Sequence, residues 1–197
     1  MAHQSLDSVK FLLSETDPSR LEPSQAEVAI VGRSNVGKSA LLNAVCRKDL
    51  ARVSSEPGRT RTINVFAAAP GRWLVDLPGY GFALGKAEER AGWAAMIEGY
   101  LTGRASLRAI FMLVDSKVGA TKLDVEMLRW LQSNGLPWRV VATKVDRIKR
   151  GAFDAMKEDV ARALSITPQA VACVSADKDF GVGALRQEVC GLLAQKS

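Results

Sequence analysis

Along the chain, short runs of β-branched and aliphatic residues alternate with segments whose apolar positions recur every three or four residues. From residue 26 onward the alternation is nearly unbroken. "EVAIVG" over 27–32 reads as a buried strand and "GKSALLNAVCRK" over 37–48 as the helix that follows it. "RTINVFAA" (61–68) and "RWLVDLPG" (72–79) are two more strands, close enough in sequence to pair antiparallel. Trp93, Ile97, Tyr100 and Leu101 share one face of a helix that Gly103 is placed to end. "LRAIFMLVD" (107–115) is apolar without interruption, as expected of a strand in a parallel sheet covered on both faces.

The next helix is expected over 121–134, with Thr121 as N-cap, an apolar stripe of Leu123, Met127, Trp130 and Leu131, and Gly135 beyond its end. A strand at "WRVVATKVD" (138–146), a helix over 151–164 and a strand at "AVACVSA" (170–176) follow. A last helix over 184–194 carries Leu185, Val189, Leu192 and Leu193 on its inner face. This alternation predicts an α/β fold of three layers, a mostly parallel six-stranded sheet with one antiparallel strand and helices on both faces. Residues 25–197 are expected to form one domain, preceded by an N-terminal extension over 1–24.

Composition narrows the chemistry. A chain of 197 residues, 47% hydrophobic, is long enough for one sizeable core and short for two. It has no apolar run of 18 residues, and its first twenty residues lack a basic segment followed by an apolar stretch and a cleavage site. A cytoplasmic protein without a membrane partner is expected. Cys46, Cys173 and Cys190 are an odd set without CxxC spacing, which argues against a disulfide framework or a zinc knuckle. The one histidine, His3, stands near the terminus, so a histidine-based triad is excluded. Twenty-seven basic residues against 21 acidic ones give a formal charge of +6 and a pI near 9.4, a balance that favours polyanionic partners.

Candidate chemistry begins at "GRSNVGKS", Gly32 to Ser39, which satisfies G-x-x-x-x-G-K-[ST] between a strand and a helix. Backbone N–H groups of Gly32, Arg33, Ser34, Asn35, Val36 and Gly37 would curl around phosphate oxygens, and the helix N-terminus adds positive potential. Lys38 would reach the β- and γ-phosphates and the Ser39 hydroxyl would ligate Mg²⁺. The motif implies a phosphorylated ligand, a purine nucleotide above all, without separating a GTPase from an ATPase or a small-molecule kinase. "DLPG" (Asp76, Leu77, Pro78, Gly79) ends a strand, placing Asp76 to hold Mg²⁺ through water and the Gly79 N–H to meet the γ-phosphate. "TKVD" (Thr143, Lys144, Val145, Asp146) suits guanine. Its carboxylate accepts from N1–H and the 2-amino group while the Lys144 stem lies along the base; adenine has no such donors. "VSA" (Val174, Ser175, Ala176) would complete the pocket with backbone N–H groups for the base carbonyl.

Together, "GRSNVGKS", "EPGRTRTINVF", "DLPGYGFA", "TKVD" and "VSA" resemble the EngB (YihA/YsxC) family of bacterial GTPases, a member of the translation-factor-related class, over about residues 8 to 194. The resemblance implies the Ras-like P-loop GTPase fold, Mg²⁺-dependent GTP and GDP binding, and slow hydrolysis. It also implies a role in assembling the large ribosomal subunit, with impaired division and septation when the protein is lacking. The family's Mg²⁺-binding threonine maps onto Thr60, with Thr62 as a rival, and Gly58, Arg59 and Arg61 flank it at the nucleotide. The loop 50–62 is the expected first switch and "PGYGFALGK" (78–86) the second.

One departure bears on catalysis. Where Ras-type GTPases carry a water-orienting glutamine after D-x-x-G, this chain has Tyr80, and a phenol cannot donate to and accept from water as an amide does. Intrinsic hydrolysis is therefore expected to be slow and to need a partner or an ion, with Tyr80 packing in the switch. Lys38, Asn35 and Thr60 remain the catalytic candidates. Asn35 stands where potassium-activated GTPases carry a cation-ligating asparagine, so K⁺ is one reading, and a loop fixed by its own Asn35 side chain is the other.

Arg47, Arg52, Arg59, Arg61 and Arg72 fall in or beside the first switch, and Arg147, Lys149 and Arg150 near the base pocket, available for RNA phosphates or as a solvated basic surface. A monomer docking on the large ribosomal subunit is expected. A nucleotide kinase is the rival among enzymes, but it leaves "TKVD" and "VSA" without a purpose. A GTP-regulated interaction module of the division machinery is the rival among binding proteins.

Overall fold

The protein, seen in a computed structural model, is described here over residues 5–51, 62–80 and 87–195. Seven strands form one sheet: β1 (Lys10–Glu15), β2 (Ala26–Gly32), β3 (Ile63–Ala69), β4 (Arg72–Asp76), β5 (Leu107–Asp115), β6 (Trp138–Thr143) and β7 (Val171–Cys173), in the spatial order β1-β3-β4-β2-β5-β6-β7. Helices α1 (Lys38–Cys46), α2 (Ala87–Gly103), α3 (Lys122–Ser133), α4 (Phe153–Leu164) and α5 (Val182–Ala194) cover it. Only β3 runs against its neighbours, pairing antiparallel with both β1 and β4, while the pairs β2–β4, β2–β5, β5–β6 and β6–β7 are parallel.

The central strands lie where unbroken apolar runs require two covered faces. All seven positions of β2 are buried. Ala29 and Val31 face a cluster with Ile97, Tyr100, Leu128, Leu131, Val160 and Leu164, so α2, α3 and α4 form one outer layer. Val28 and Ile30 face Leu41, Leu42, Leu185 and Val189, so α1 and α5 form the other. Period-2 strands between period-3.6 helices thus produce the three layers.

The sheet has one strand more than the six expected, and the extra strand lies within segment 1–24. β1 escapes pattern reading because Phe11 and Leu12 are adjacent and both exposed, which erases the alternation of a half-buried strand. It is held in place by Leu6 and Val9, both fully buried just before it, and by an edge-to-face contact between Phe11 and Phe66, ring centroids 5.7 Å apart. In α3 the expected stripe is displaced by one position. Leu123 is exposed, and Asp124, Leu128 and Leu131 are the buried residues. Trp93 has no described side chain, but Ile97, Tyr100 and Leu101 are buried on α2, which ends at Gly103. No described helix is long and apolar enough to cross a membrane.

At the end of the sheet where the parallel strands begin, Glu27 is fully buried on β2. Its carboxylate accepts from the Tyr100 hydroxyl, from Arg104 Nε at 2.8 Å and from the hydroxyls of Ser24 and Ser106 at 2.5 and 3.0 Å. Arg104 also donates to the carbonyls of Leu21 and Glu22 and lies 5.4 Å from the centroid of the Trp73 ring. A buried charge is tolerable only when paired and fully hydrogen-bonded, and this one is. The network fastens the end of α2 to the base of the sheet. Glu27→Ala would leave Arg104 charged and nearly buried without a counterion, so we expect a loss of about 3–5 kcal/mol in denaturant unfolding. A loss below about 1 kcal/mol would show that the ion pair does not hold this end together.

Candidate functional site

The carboxyl ends of β2, β4, β5, β6 and β7 meet along one edge, the place where open α/β sheets bind ligands. β2 runs directly into the loop 32–39, and its sequence dictates the turn. Asn35 and Gly37 take left-handed backbone angles, φ 62° and 108°. A Cβ on Gly32 would lie 2.8 Å from Val36 Cγ1 and 3.1 Å from the Leu113 carbonyl, so the first glycine is required by close approach. α1 then begins at Lys38, directing its N-terminal N–H groups into the loop.

The loop is gripped from β6. The buried Thr143 hydroxyl donates to the Val36 carbonyl at 2.7 Å, and Lys144 Nζ donates to the Asn35 carbonyl at 2.6 Å and pairs with Asp115 at 2.8 Å. Two members of "TKVD" therefore brace the phosphate loop, while its Asp146 stays exposed. Hydrogen bonding and ion pairing with Lys144, with N–H groups of Lys117 and Val118, outweigh burial and hold the Asp115 carboxyl below the usual carboxylate range. Asp115 was not anticipated, although a lone carboxylate closing a strand of eight apolar or basic residues is a readable signal.

Lys38 is buried, its Nζ donating to the carbonyls of Gly32 and Arg33 at 3.2 and 3.3 Å, and burial lowers its pKa against the pull of Asp76. Ser39 Oγ donates to Asp76 Oδ2 at 3.3 Å. Among the described residues Asp76 Oδ1 is buried without a hydrogen-bond partner, and burial pushes this carboxyl up to about 6 despite Lys38 and Ser39. An orphaned buried carboxylate oxygen beside a serine hydroxyl is the donor set of a hard divalent cation, so these residues fit Mg²⁺. Thr60 lies outside the described residues, as do Gly58, Arg59 and Arg61. Its rival Thr62 donates its hydroxyl to Asn64 Oδ1 at 3.1 Å.

The "DLPG" segment continues the β2–β4 pairing past the strands. The Leu77 N–H donates to the Ile30 carbonyl, the Tyr80 N–H to the Gly32 carbonyl and the Ser34 N–H to the Tyr80 carbonyl, at 3.1, 3.2 and 3.2 Å. Tyr80 is buried and its hydroxyl donates to Asp124 Oδ1 at 2.8 Å. Burial, followed by the Asp124 charge and hydrogen bond, raises the phenol well above its ordinary value, and the side chain packs against α3 in this conformation.

At the base pocket, Ser175 Oγ donates to Asp146 Oδ1 at 2.5 Å and accepts from the Lys178 N–H, aiming the carboxylate. The N–H groups of Val174 and Ser175, expected to meet the base, are committed instead to the carbonyls of Ala142 and Phe180. Among the described residues the Ala176 N–H has no such bond. The basic residues divide as well. Arg147, Lys149 and Arg150 are exposed beside the pocket. Arg72 opens β4, opposite Ala26 at the far end of β2, about 13 Å from Asp76 at strand spacing. Arg52, Arg59 and Arg61 fall outside the described residues.

A phosphate loop braced by a guanine-reading loop, on a Ras-like sheet, defines a GTP-binding P-loop protein. A family model described as "50S ribosome-binding GTPase" matches residues 27–144. The chain is 51% identical over 142 residues to a probable GTP-binding protein EngB of Pelotomaculum thermopropionicum, 72% of each chain. It is 40% identical over 168 residues to that of Bacillus subtilis (82% of this chain, 86% of the relative) and 38% over 193 residues to that of Geobacter sulfurreducens (97% and 94%). The chain belongs to the EngB family of GTP-binding proteins and is a GTP hydrolase. Solved structures share the fold. A probable GTP-binding protein EngB superposes with a TM-score of 0.69 at 24% identity, covering 85% of this chain and 98% of that one. Era in complex with MgGDPNP and a segment of 16S ribosomal RNA gives 0.66 at 22%, covering 89% and 59%.

The pocket geometry makes a direct prediction. Asp146→Asn presents an amide to the base, which can donate to the 2-carbonyl of xanthine but cannot accept two N–H bonds from guanine. GTP affinity should fall by about two orders of magnitude or more, with xanthosine triphosphate gained in exchange. Competition calorimetry showing an unchanged GTP preference would remove Asp146 from the base pocket.

Proposed function

We propose that this GTPase is a nucleotide-controlled switch that docks, as a cytoplasmic monomer, on the large ribosomal subunit or its precursors during assembly. Residues 32–39, 58–62, 76–79, 143–146 and the Ala176 N–H would hold the nucleotide, Ser175 aiming Asp146, with Mg²⁺ on Ser39 and Thr60 and, through water, on Asp76. The cation would supply charge neutralisation between the β- and γ-phosphates. The observation that carries the reading is the orphaned Asp76 oxygen beside Ser39, one residue run from Gly79 at the phosphate loop. This arrangement lets a third phosphate and its cation be sensed by the segment that follows. The ribosomal partner is supported by the description of the matching family model and by the basic surface of Arg147, Lys149 and Arg150. A role in division and septation would follow from ribosome assembly. The rival is a GTP-regulated module of the division machinery that never meets the ribosome.

If the third phosphate controls docking, binding to large-subunit particles should be stronger with a GTP analogue than with GDP, and should weaken with added salt. Co-sedimentation equal in both nucleotides at every salt concentration would refute nucleotide control, and capture of division proteins without ribosomal particles would favour the rival.

With Tyr80 packed away, the charge developing between the β- and γ-phosphates must be offset by another group, and we propose K⁺ beside Asn35. Hydrolysis should be at least severalfold faster in K⁺ than in Na⁺ at matched ionic strength, and Asn35→Ala should abolish the difference while still binding GTP. Equal rates in the two salts, alone and with ribosomal particles, would eliminate the cation.

A further inference from the structure

Asp124 stands at an inward position of α3, where the apolar stripe calls for an aliphatic residue, and it is fully buried. Oδ2 accepts from the Thr121 N–H and hydroxyl at 2.8 and 2.7 Å, completing a capping box. A capping residue needs no burial to do this, because helix N-termini lie open to water in most folds. Burial of this carboxylate costs free energy that the cap alone does not offset, and its other contacts show where it is recovered. Oδ1 accepts from the Tyr80 hydroxyl at 2.8 Å, and Arg33 Nε lies 3.4 Å from Oδ2 as a charge contact outside hydrogen-bond geometry. One side chain thus joins α3, the phosphate loop and the residue after "DLPG".

Tyr80 transmits that hold. Its hydroxyl is fixed by Asp124 while its backbone pairs with Gly32 and Ser34, which seats Gly79 tightly against the loop. A Cβ on Gly79 would lie 2.8 Å from Ser34 N and 2.9 Å from Lys38 Nζ. The γ-phosphate of a triphosphate must fit between these groups, reaching both Lys38 and the Gly79 N–H. The α- and β-phosphates would lie along residues 35–39 of the proposed site and make no demand on Gly79.

We infer that Asp124 is a positioning residue that holds Tyr80, and through it Gly79, against the phosphate loop, and that this hold disfavours triphosphate relative to diphosphate. The inference rests on the nucleotide site proposed above. GTP has to lift Gly79 against the Tyr80–Asp124 hydrogen bond, whereas GDP does not, so the bond sets the preference between the two nucleotides.

The test is calorimetric binding of GDP and a non-hydrolysable GTP analogue, in Mg²⁺, to the full chain. Tyr80→Phe removes only the hydroxyl. It should leave GDP affinity within about twofold of wild type and raise GTP-analogue affinity about tenfold, the equivalent of one hydrogen bond to a carboxylate. Asp124→Asn keeps an oxygen for Tyr80 but drops the charge, and should shift the ratio the same way by a smaller factor. Thr121→Ala removes the cap bond and the hydroxyl bond to Asp124 Oδ2 but leaves Oδ1 on Tyr80, so it should lower thermal stability and move the ratio less than Tyr80→Phe does. GDP binding by the wild type and its loss in Lys38→Ala establish the phosphate loop independently. Against that background, a ratio unchanged in Tyr80→Phe, or an equal loss of both nucleotides, overturns the inference.

Discussion

The ammonium of Lys144 is the contact on which the nucleotide edge depends. It spans the Asn35 carbonyl and the Asp115 carboxylate, joining the phosphate loop, the end of β5 and the guanine-reading loop through one charged hydrogen-bonding group. Such charge-assisted bonds are short and directional, and the one to Asp115 is part-buried, where screening by salt is weak. Thr143 adds a second brace one residue earlier, so the loop that must cradle phosphates cannot drift from the loop that reads the base. Lys144 itself adopts a left-handed backbone, φ 57°, which turns the chain sharply after β6 and sets both its own side chain and Asp146 at the edge.

Around that brace the site is built from buried polar groups kept slightly out of balance. Lys38 is satisfied by two loop carbonyls, yet burial lowers its pKa; Asp76 has one oxygen bonded and one without a partner, and burial raises its pKa. A polyanion bridged by a divalent cation corrects both at once, giving negative charge to the lysine and positive charge to the aspartate.

Much of this was legible in the sequence because glycines, lysine and aspartates at fixed offsets leave few other conformations. The strand-loop-helix at 27–48, the "DLPG" turn and the alternation of strands and helices along the chain follow from pattern and spacing. Other features were hidden for physical reasons. β1 has adjacent exposed apolar residues at Phe11 and Leu12, so its membership of the sheet depends on Leu6 and Val9 upstream, contacts that no local period reveals. Asp124 was obscured by Leu123, which fits a helical stripe better than a carboxylate does, although T-x-x-D at 121–124 is a capping pattern that could have been read. Val174 and Ser175 have suitable N–H groups by position, but sheet geometry had already committed them.

The polar knot around Glu27 has a mechanical consequence. α2 is 17 residues long, about 25 Å at helical rise, and Tyr100 and Arg104 fasten its far end to the base of the sheet. The helix is therefore a lever with a fixed fulcrum. A displacement of about 2 Å at its first turn would become a tilt of about 5° about the tethered end instead of a sliding of the whole rod. Movement beginning near the phosphates would then grow along the helix toward its first turn and fade to nothing at Glu27, leaving the opposite end of the sheet undisturbed.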